Sequence, residues 1–451
     1  MEDQKVEKGS AGSTVKASRI RFVVLFLIFI ATAINYLDRT NMAVAAPAIK
    51  DELGFDAGAL GLIFSGFGWS YAFLQIPGGW FLDRYGPRLT YFWSCFLWSL
   101  ATFAMGLGKN FVSLFGFRLA IGAAEAPAFP TNSRVVASWF PKQERAFATG
   151  VYTAGEFVGL AFLTPILFWI SATWGWQAIF YVTGLIGIIF SAIWYFYYRD
   201  PKDSKSVNEA ELDYIRKGDG LAEKAVAGVK ISWSDFSELF KHRQLWGIYL
   251  GCFAVTSTLN FFLTWFPTYL VTEKHMPMLK VGIYAAVPYI AAFFGVLIGG
   301  YWSDRMITKG YSLTVARKLP VTLGLLGSCS IMLANYTNDF NVIIAIMSVA
   351  FLAEGLSSLG WVIVGDIAPV KSVGLAGGVF NLFANLAGIV TPIVIGFIVK
   401  ATGSFTWALV YMSCVALLGA CSYLFIVGKL ERIVKADDAG GGKSDLNHIK
   451  S

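Results

Sequence analysis

Six ionisable side chains sit inside otherwise apolar runs of this 451-residue chain: Asp38, Arg39, Arg118, Glu125, Glu156 and Glu354. Holding a charge in hydrocarbon costs about 3 kcal/mol on insertion scales, so each is a candidate for chemistry rather than decoration. A guanidinium offers a planar fork that grips carboxylates through two hydrogen bonds and never gives up its proton. A buried carboxyl can take up and release one. Asp38 and Arg39 are adjacent, so on a helix they point about 100° apart and cannot both face one neighbour. Arg118 and Glu125 are seven residues apart, on one helix face and about 10 Å from each other along the axis. Each charge therefore needs a partner on another helix, and the expected pairs are Asp38 with Arg118 and Arg39 with Glu125. Three of the four acids lie in the first half of the chain beside both arginines, so anion binding and proton handling are expected there.

These charges need a frame. Charged residues make up 14% of the chain against about 25% in soluble proteins, and mean hydropathy is +0.59, too little charge to coat a soluble globule. The expected class is an all-α integral membrane protein. At about 20 residues per crossing, apolar spans fall near 21–47, 58–82, 89–107, 111–133, 146–170, 176–198, 246–271, 279–302, 316–336, 340–365, 374–400 and 405–428. That divides the chain into an N-terminal tail (1–18), a six-helix bundle (19–198), a linker (199–244), a second six-helix bundle (245–430) and a C-terminal tail (431–451). The linker balances nine basic against nine acidic residues and carries a helical-looking segment from Asn208 to Lys217. The polar first 18 residues are not expected to be a cleaved signal. Of 36 Lys and Arg, 29 fall in the tails, the linker and the loops on the linker's side, and five in the opposite loops. The positive-inside rule then places both termini in the cytoplasm of a multi-pass inner-membrane protein. It also accounts for the basic pI without nucleic acid.

The two halves repeat one another. Gly79, Asp83 and Arg84 in the loop after span two recur as Gly300, Asp304 and Arg305 after span eight, 221 residues on. Gly150-Val151-Tyr152-Thr153 matches Gly378-Val379-Phe380-Asn381, and Thr164-Pro165-Ile166 matches Thr391-Pro392-Ile393. Parallel six-helix repeats are a transporter pattern, with substrate held between the halves near the midplane.

The loop motif ending Asp83-Arg84-Tyr85-Gly86-Pro87-Arg88, with its degenerate second copy, resembles the major facilitator superfamily. Asn35-Tyr36-Leu37-Asp38-Arg39, Gln75-Ile76-Pro77-Gly78-Gly79-Trp80, Glu125-Ala126-Pro127, Trp139-Phe140-Pro141 and Thr264-Trp265-Phe266-Pro267 are similar to its anion:cation symporter family, in particular the bacterial sugar-acid transporters for galactonate and for glucarate and galactarate. The likeness runs from about residue 20 to about 432. It implies protonation sites at Asp38 and Glu125, a substrate-gripping arginine at Arg39 and a charge network through Arg118. It implies substrate contacts from Tyr36, Tyr71, Ser358, Trp361 and Asn381. Glu156 departs from the pattern, since relatives usually carry Gln there; it can accept from substrate hydroxyls but would repel an anion unless protonated, so either it adds a proton to the cycle or the substrate differs. Asp83, Arg84, Asp304 and Arg305 are expected to form gating latches at the cytoplasmic helix ends.

The expected function is proton-coupled import of a sugar acid such as galactonate, glucarate or galactarate by alternating access; the alternative is another organic anion, such as hexuronate or tartrate. A substrate carboxylate would compete with Glu125 for Arg39, so proton and anion would bind together. An enzyme is not expected, because no nucleophile set, metal-ligand cluster or phosphate-binding loop is present. No cofactor or metal is expected, and the partners are a small anionic sugar acid, protons and the bilayer, with the protein a monomer. Phosphate-ester exchange would want a cavity cation from each half, and the second half has no intramembrane Lys or Arg.

Overall fold

The computed structural model describes residues 17–218, 220, 237, 239–368 and 373–433; most of both expected tails and residues 221–236 of the linker lie outside them. The described residues contain no strand. The spans are α1 (Ile20–Leu53), α2 (57–85), α3 (87–105), α4 (Phe111–Trp139), α5 (Lys142–Trp174), α6 (Trp176–Tyr197), α7 (Arg243–Thr264), α8 (Met278–Thr308), α9 (Leu313–Tyr336), α10 (Phe340–Ile367), α11 (Val373–Thr402) and α12 (Thr406–Ile426). Helices α2 and α3 together cover 49 residues, Ala57–Met105, with Gly86 the non-helical residue between them. A straight helix of that length would be about 74 Å, over twice a bilayer core. Gly86 folds it back on itself at φ 74°, a conformation open to glycine, and Pro87 starts the return helix.

Other ends are set by side chains. Asp56 accepts from the Ala59 amide at 2.8 Å, Asn110 and Ser113 form a capping box, and Asp339 caps α10. Pro127 divides α4, and Pro165 follows a π-helical stretch at Val158–Leu163 in α5. Pro288 and Pro392 lie inside α8 and α11. The linker carries a short helix, Glu209–Lys217, capped by Asn208. Arg21 fixes it to the first half, pairing with Glu144 of α5 and Glu211 of the linker helix, both at 3.0 Å. Burial acts to raise Glu211, but donors from Ser18, Ile20 and Arg21 hold it below the usual carboxylate range.

The halves meet along two antiparallel seams. On the first, α2 lies beside α11. A Cβ on Gly61 would come within 2.6 Å of the Pro392 carbonyl, and one on Gly396 equally close to the Ala57 carbonyl, so these backbones touch. The register continues past Gly68 against Ile389 and Gly388 to Gln75 against Asn381. On the second seam α5 lies beside α8, from Phe168 on Gly282 to Phe157 on Phe293, whose rings are 5.4 Å apart. Asp56 and Lys400 close the outer end of the first seam with an ion pair at 2.9 Å.

Core packing follows the same division. One apolar cluster fills the first half and runs on into the second half's residues farthest from the linker, such as Phe262, Trp265, Tyr289, Phe351 and Phe405. A separate cluster holds the second half's linker-side ends, including Tyr249, Ile363, Phe380 and Tyr423. The molecule is therefore closed on the far face and divided on the linker face, where Trp80, Asp83, Arg84, Ser358 and Trp361 are exposed.

Candidate functional site

Close approach of α1 and α5 builds the centre. Gly155 and Gly159 leave room for the Phe29 and Ala33 carbonyls, a small-residue contact four apart on α5. That contact presents Glu156 to Tyr36, whose side chain interacts with its carboxyl. One turn further along α1, Arg39 Nε donates to Glu125 Oε2 at 3.1 Å. Glu125 is fully buried and lies two residues before the α4 break at Pro127.

The Arg39 guanidinium is boxed by aromatic rings: Phe67 at 4.7 Å, Tyr36 at 4.8 Å and Tyr71 at 5.1 Å from its carbon. Phe67 also faces Arg118 at 5.2 Å, so one ring separates two cations. The pair is incomplete. Arg39 Nη2, Glu125 Oε1, Arg118 Nε and Nη1, and both amide atoms of Asn35 are buried without a well-aligned hydrogen bond, with Asn35 beside Glu125 and Tyr71 beside Arg39 close enough to interact. Such an array costs free energy unless a ligand or water fills it, which is the mark of a binding site rather than a packing core.

Of the two expected pairs, Arg39 with Glu125 forms and Asp38 with Arg118 does not. Asp38 accepts from Asn41 at 3.1 Å and from Trp98 Nε1 at 3.2 Å; Asn41 in turn donates to Thr183 at 2.7 Å. The 100° step from Arg39 turns Asp38 away from the centre, toward α3 and α6. Arg118 turns to α2, donating to the Phe64 carbonyl at 3.3 Å.

Tyr36, Arg39, Tyr71, Glu125, Arg118 and Glu156 thus converge, with Asp38 behind them. Glu354, buried in α10 of the other half, is near enough to Glu156 for their charges to interact. Asn381 donates to Gln75 across the seam. Ser358 and Trp361 lie nearer the linker face, where Trp361 packs on Phe380 at 4.8 Å between ring centres. Phe67 and Gln75 escape a search for charges. They share one face of α2 with Tyr71, at steps of four residues, and that spacing is the signal for both.

The two latch motifs differ. Asp304 pairs with Arg317 at 2.9 Å, and Arg317 reaches Asp366 at 3.2 Å. Arg305 donates to the Tyr301 hydroxyl at 2.8 Å. Asp83 and Arg84 form no ion pair among the described residues, and Arg84 rests against Trp80 and Tyr85. A latch at Asp304 therefore ties helices within the second half rather than the halves to each other.

Residues 28–361 match the Major Facilitator Superfamily. The chain is 49% identical over 426 residues to a D-galactonate transporter of Escherichia coli, covering 93% of this chain and 99% of that one. It is 41% identical to the probable galactarate/D-glucarate transporter GarP of Escherichia coli (93% and 97% covered) and 40% to the probable galactarate/D-glucarate transporter GudP of Bacillus subtilis (93% and 94%). Among solved structures, a bacterial homologue of the human lysosomal transporter Spinster, inward-facing and unoccupied, superposes with a TM-score of 0.69 at 20% identity, covering 92% of this chain and 96% of that one. The nucleoside transporter NupG gives 0.66 at 15% identity, over 89% and 99%.

Proposed function

The chain belongs to the Major Facilitator Superfamily, and we propose that it is a proton-coupled symporter that imports a sugar acid across the bacterial inner membrane by alternating access. The observation that carries this reading is the half-satisfied Arg39–Glu125 pair in its aromatic box. A substrate carboxylate approaching Arg39 finds Nη2 free and displaces Glu125 from Nε to complete the two-pronged grip. The displaced Glu125 would be a buried charge without its cation, and a proton cancels it. Anion and proton therefore enter together, and neither is accommodated well alone. Asp38, tied to Asn41 and Trp98, relays protonation on the far side of α1; Glu156 serves both the proton and the substrate hydroxyls. Tyr36, Tyr71, Ser358, Trp361 and Asn381 hold the polyol, and Arg118 sets the charge of the network.

The site sets two arginines, Arg39 and Arg118, against three acids, Glu125, Glu156 and Glu354. That balance favours a monocarboxylic aldonate of the galactonate type over a dicarboxylic aldarate, which would bring a second carboxylate among the acids. The positive charge on the linker face supports a cytoplasmic linker and termini. The divided face is then the inward-open one, with Asp83 and Arg84 released and the far face sealed by Asp56 and Lys400. The protein works as a monomer, since each half supplies its own side of the site.

The test is uptake of radiolabelled D-galactonate into proteoliposomes with an alkaline interior. Glu125→Gln should abolish accumulation and leave galactonate binding detectable by calorimetry. Unchanged accumulation after the proton gradient is collapsed would end the symport reading.

A further inference from the structure

Three asparagines of the second half lie beside the α2–α11 seam, and only Asn381 has a part in the transport cycle above. The others are Asn260 on α7 and Asn385 on α11. Asn260 Nδ2 donates to the Thr256 carbonyl at 2.8 Å, and Asn385 Nδ2 donates to the Asn381 carbonyl at 2.9 Å. In a helix each of those carbonyls already holds the backbone amide four residues on, so the side chains are added donors there. A carbonyl partner fixes which end of each amide is the nitrogen, and leaves the oxygen as the free end. Neither oxygen accepts a hydrogen bond among the described residues, and solvent reaches both.

Their surroundings are the site and not lipid. A Cβ added to Gly388 would have Asn260 Oδ1 as its nearest neighbour, at 3.5 Å, and Gly388 itself faces Gly68 of α2. Gly68 follows Phe67, whose ring lies on Arg39. The internal repeat agrees: 221 residues separate Arg39 from Asn260, so matching positions on α1 and α7 look at the centre from opposite halves. Asn385 is placed by register. On α11 it lies between Ile389, which meets Gly68, and Asn381, which meets Gln75, and so stands level with Tyr71 of the arginine box. The exposed apolar stripe of α11 is Leu382, Leu386 and Val390. Asn381 and Asn385 each precede a member of that stripe by one residue, about 100° around the helix.

An amide whose nitrogen is held by its own helix offers the site only an acceptor, so what it recognises is a donor. A substrate hydroxyl is such a donor; the carboxylate is not, and Arg39 takes that group. We propose that Asn260 and Asn385 are specificity-determining residues whose side-chain oxygens accept from hydroxyls of the polyhydroxy acid held at Arg39. Each asks for an O–H at one position of the carbon chain and rejects an analogue that lacks it. The inference deepens the sugar-acid reading of the site and rests on it.

The experiment is a protein–ligand binding cycle read by calorimetry, which does not depend on proton coupling. Wild type, Asn260→Ala and Asn385→Ala are titrated with D-galactonate and with its monodeoxyfluoro analogues from C2 to C6, whose fluorine cannot donate. Wild type should bind one analogue per asparagine about five- to tenfold more weakly than D-galactonate, as for one neutral hydrogen bond. Asn260→Ala should weaken D-galactonate by a similar factor and lose the discrimination against one analogue, and Asn385→Ala against another. Asn260→Ser and Asn385→Ser keep a donor to the helix carbonyl but withdraw the oxygen. They should show the same losses, which guards against misfolding of the alanine variants. A variant that weakens D-galactonate and every analogue equally makes its asparagine a structural residue and overturns the proposal there, as does unchanged D-galactonate binding. D-glucuronate and its fluorinated analogues are titrated in parallel. Wild-type binding of glucuronate alone ends the galactonate reading and leaves the cycle to decide the asparagines; binding of neither acid ends both.

Discussion

The two halves share a fold and differ in what they leave unsatisfied. In the first half, the buried polar atoms without a well-aligned hydrogen bond include guanidinium nitrogens of Arg39 and Arg118, a carboxylate oxygen of Glu125 and the whole amide of Asn35. In the second half they are the hydroxyls of Tyr249, Thr268, Ser330 and Ser348. Carrying the 221-residue offset back along the chain sets Asn260 opposite Arg39, and that amide is spent on the Thr256 carbonyl one turn away. A duplicated scaffold has therefore been divided by task. One half keeps expensive, incompletely paired charge, which responds to protons and anions; the other keeps neutral groups and one isolated acid. A charge relay needs strong coupling between its members, and concentrating them on α1, α4 and α5 provides it.

The sharpest way to break this contrast is at Arg39. Arg39→Ala leaves Glu125 buried without its cation, a loss of about 3–5 kcal/mol for a broken buried pair. Uptake should vanish and thermal unfolding should move to lower temperature, whereas Asn260→Ala should lose no more than about 1.5 kcal/mol, the worth of a neutral hydrogen bond. Equal damage from both would refute the division of tasks. Next in size is Asp38→Asn. It keeps a side chain able to accept from Trp98 or Asn41 but cannot exchange a proton, so galactonate binding should survive in calorimetry while gradient-driven uptake falls about 100-fold, the lower end of the range for loss of positioned proton transfer. If uptake survives, Asp38 is a fixed strut between α1 and α3.

Smaller effects test the seam. Gln75→Ala and Asn381→Ala should each weaken galactonate binding about five- to tenfold, as for one neutral hydrogen bond. The double variant should add little, because the two amides satisfy each other. Additive losses would mean that they bind substrate separately. The least effect is expected at the exposed Asp56–Lys400 pair, worth about 0–1 kcal/mol. Its hydrogen bond from Lys400 holds the Asp56 carboxyl below the ordinary range. The tie is thus fully present above that range and is lost only as pH falls through the lowered value. Far-face accessibility, read by a fluorophore quencher, should accordingly stay flat from neutral to mildly acidic pH in wild type and shift slightly in Asp56→Asn.

Much of this was legible beforehand, for identifiable reasons. Charges are rare in hydrocarbon, so Arg39 and Glu125 stood out. Asp38 misled because its partner is not a charge. Trp98 is one of 15 tryptophans, and nothing in its spacing separates a hydrogen-bond donor from a packing residue. Gln75 and Phe67 were hidden for the same reason, their roles depending on which helix lies opposite. The state of the gates was also out of reach. Asp83 and Asp304 sit in near-identical motifs, and the difference lies outside them, in Arg317 of α9, which binds Asp304 within the second half.

The glycine-lined seam of α2 and α11 would also serve as a lever in alternating access. From Asp56 to Gln75 is 19 residues, a helical arm of about 28 Å. Rotation by about 15°, a size known for rigid-body switching, about a fulcrum at Gln75 and Asn381 would part Asp56 from Lys400 by about 7 Å. That gap is wide enough for a hydrated sugar acid to pass. The same stroke would swing the free ends of α2 and α11 together on the opposite side of the fulcrum, carrying Asp83 toward the second half. Having no side chains, the glycines let the arms roll over one another without catching.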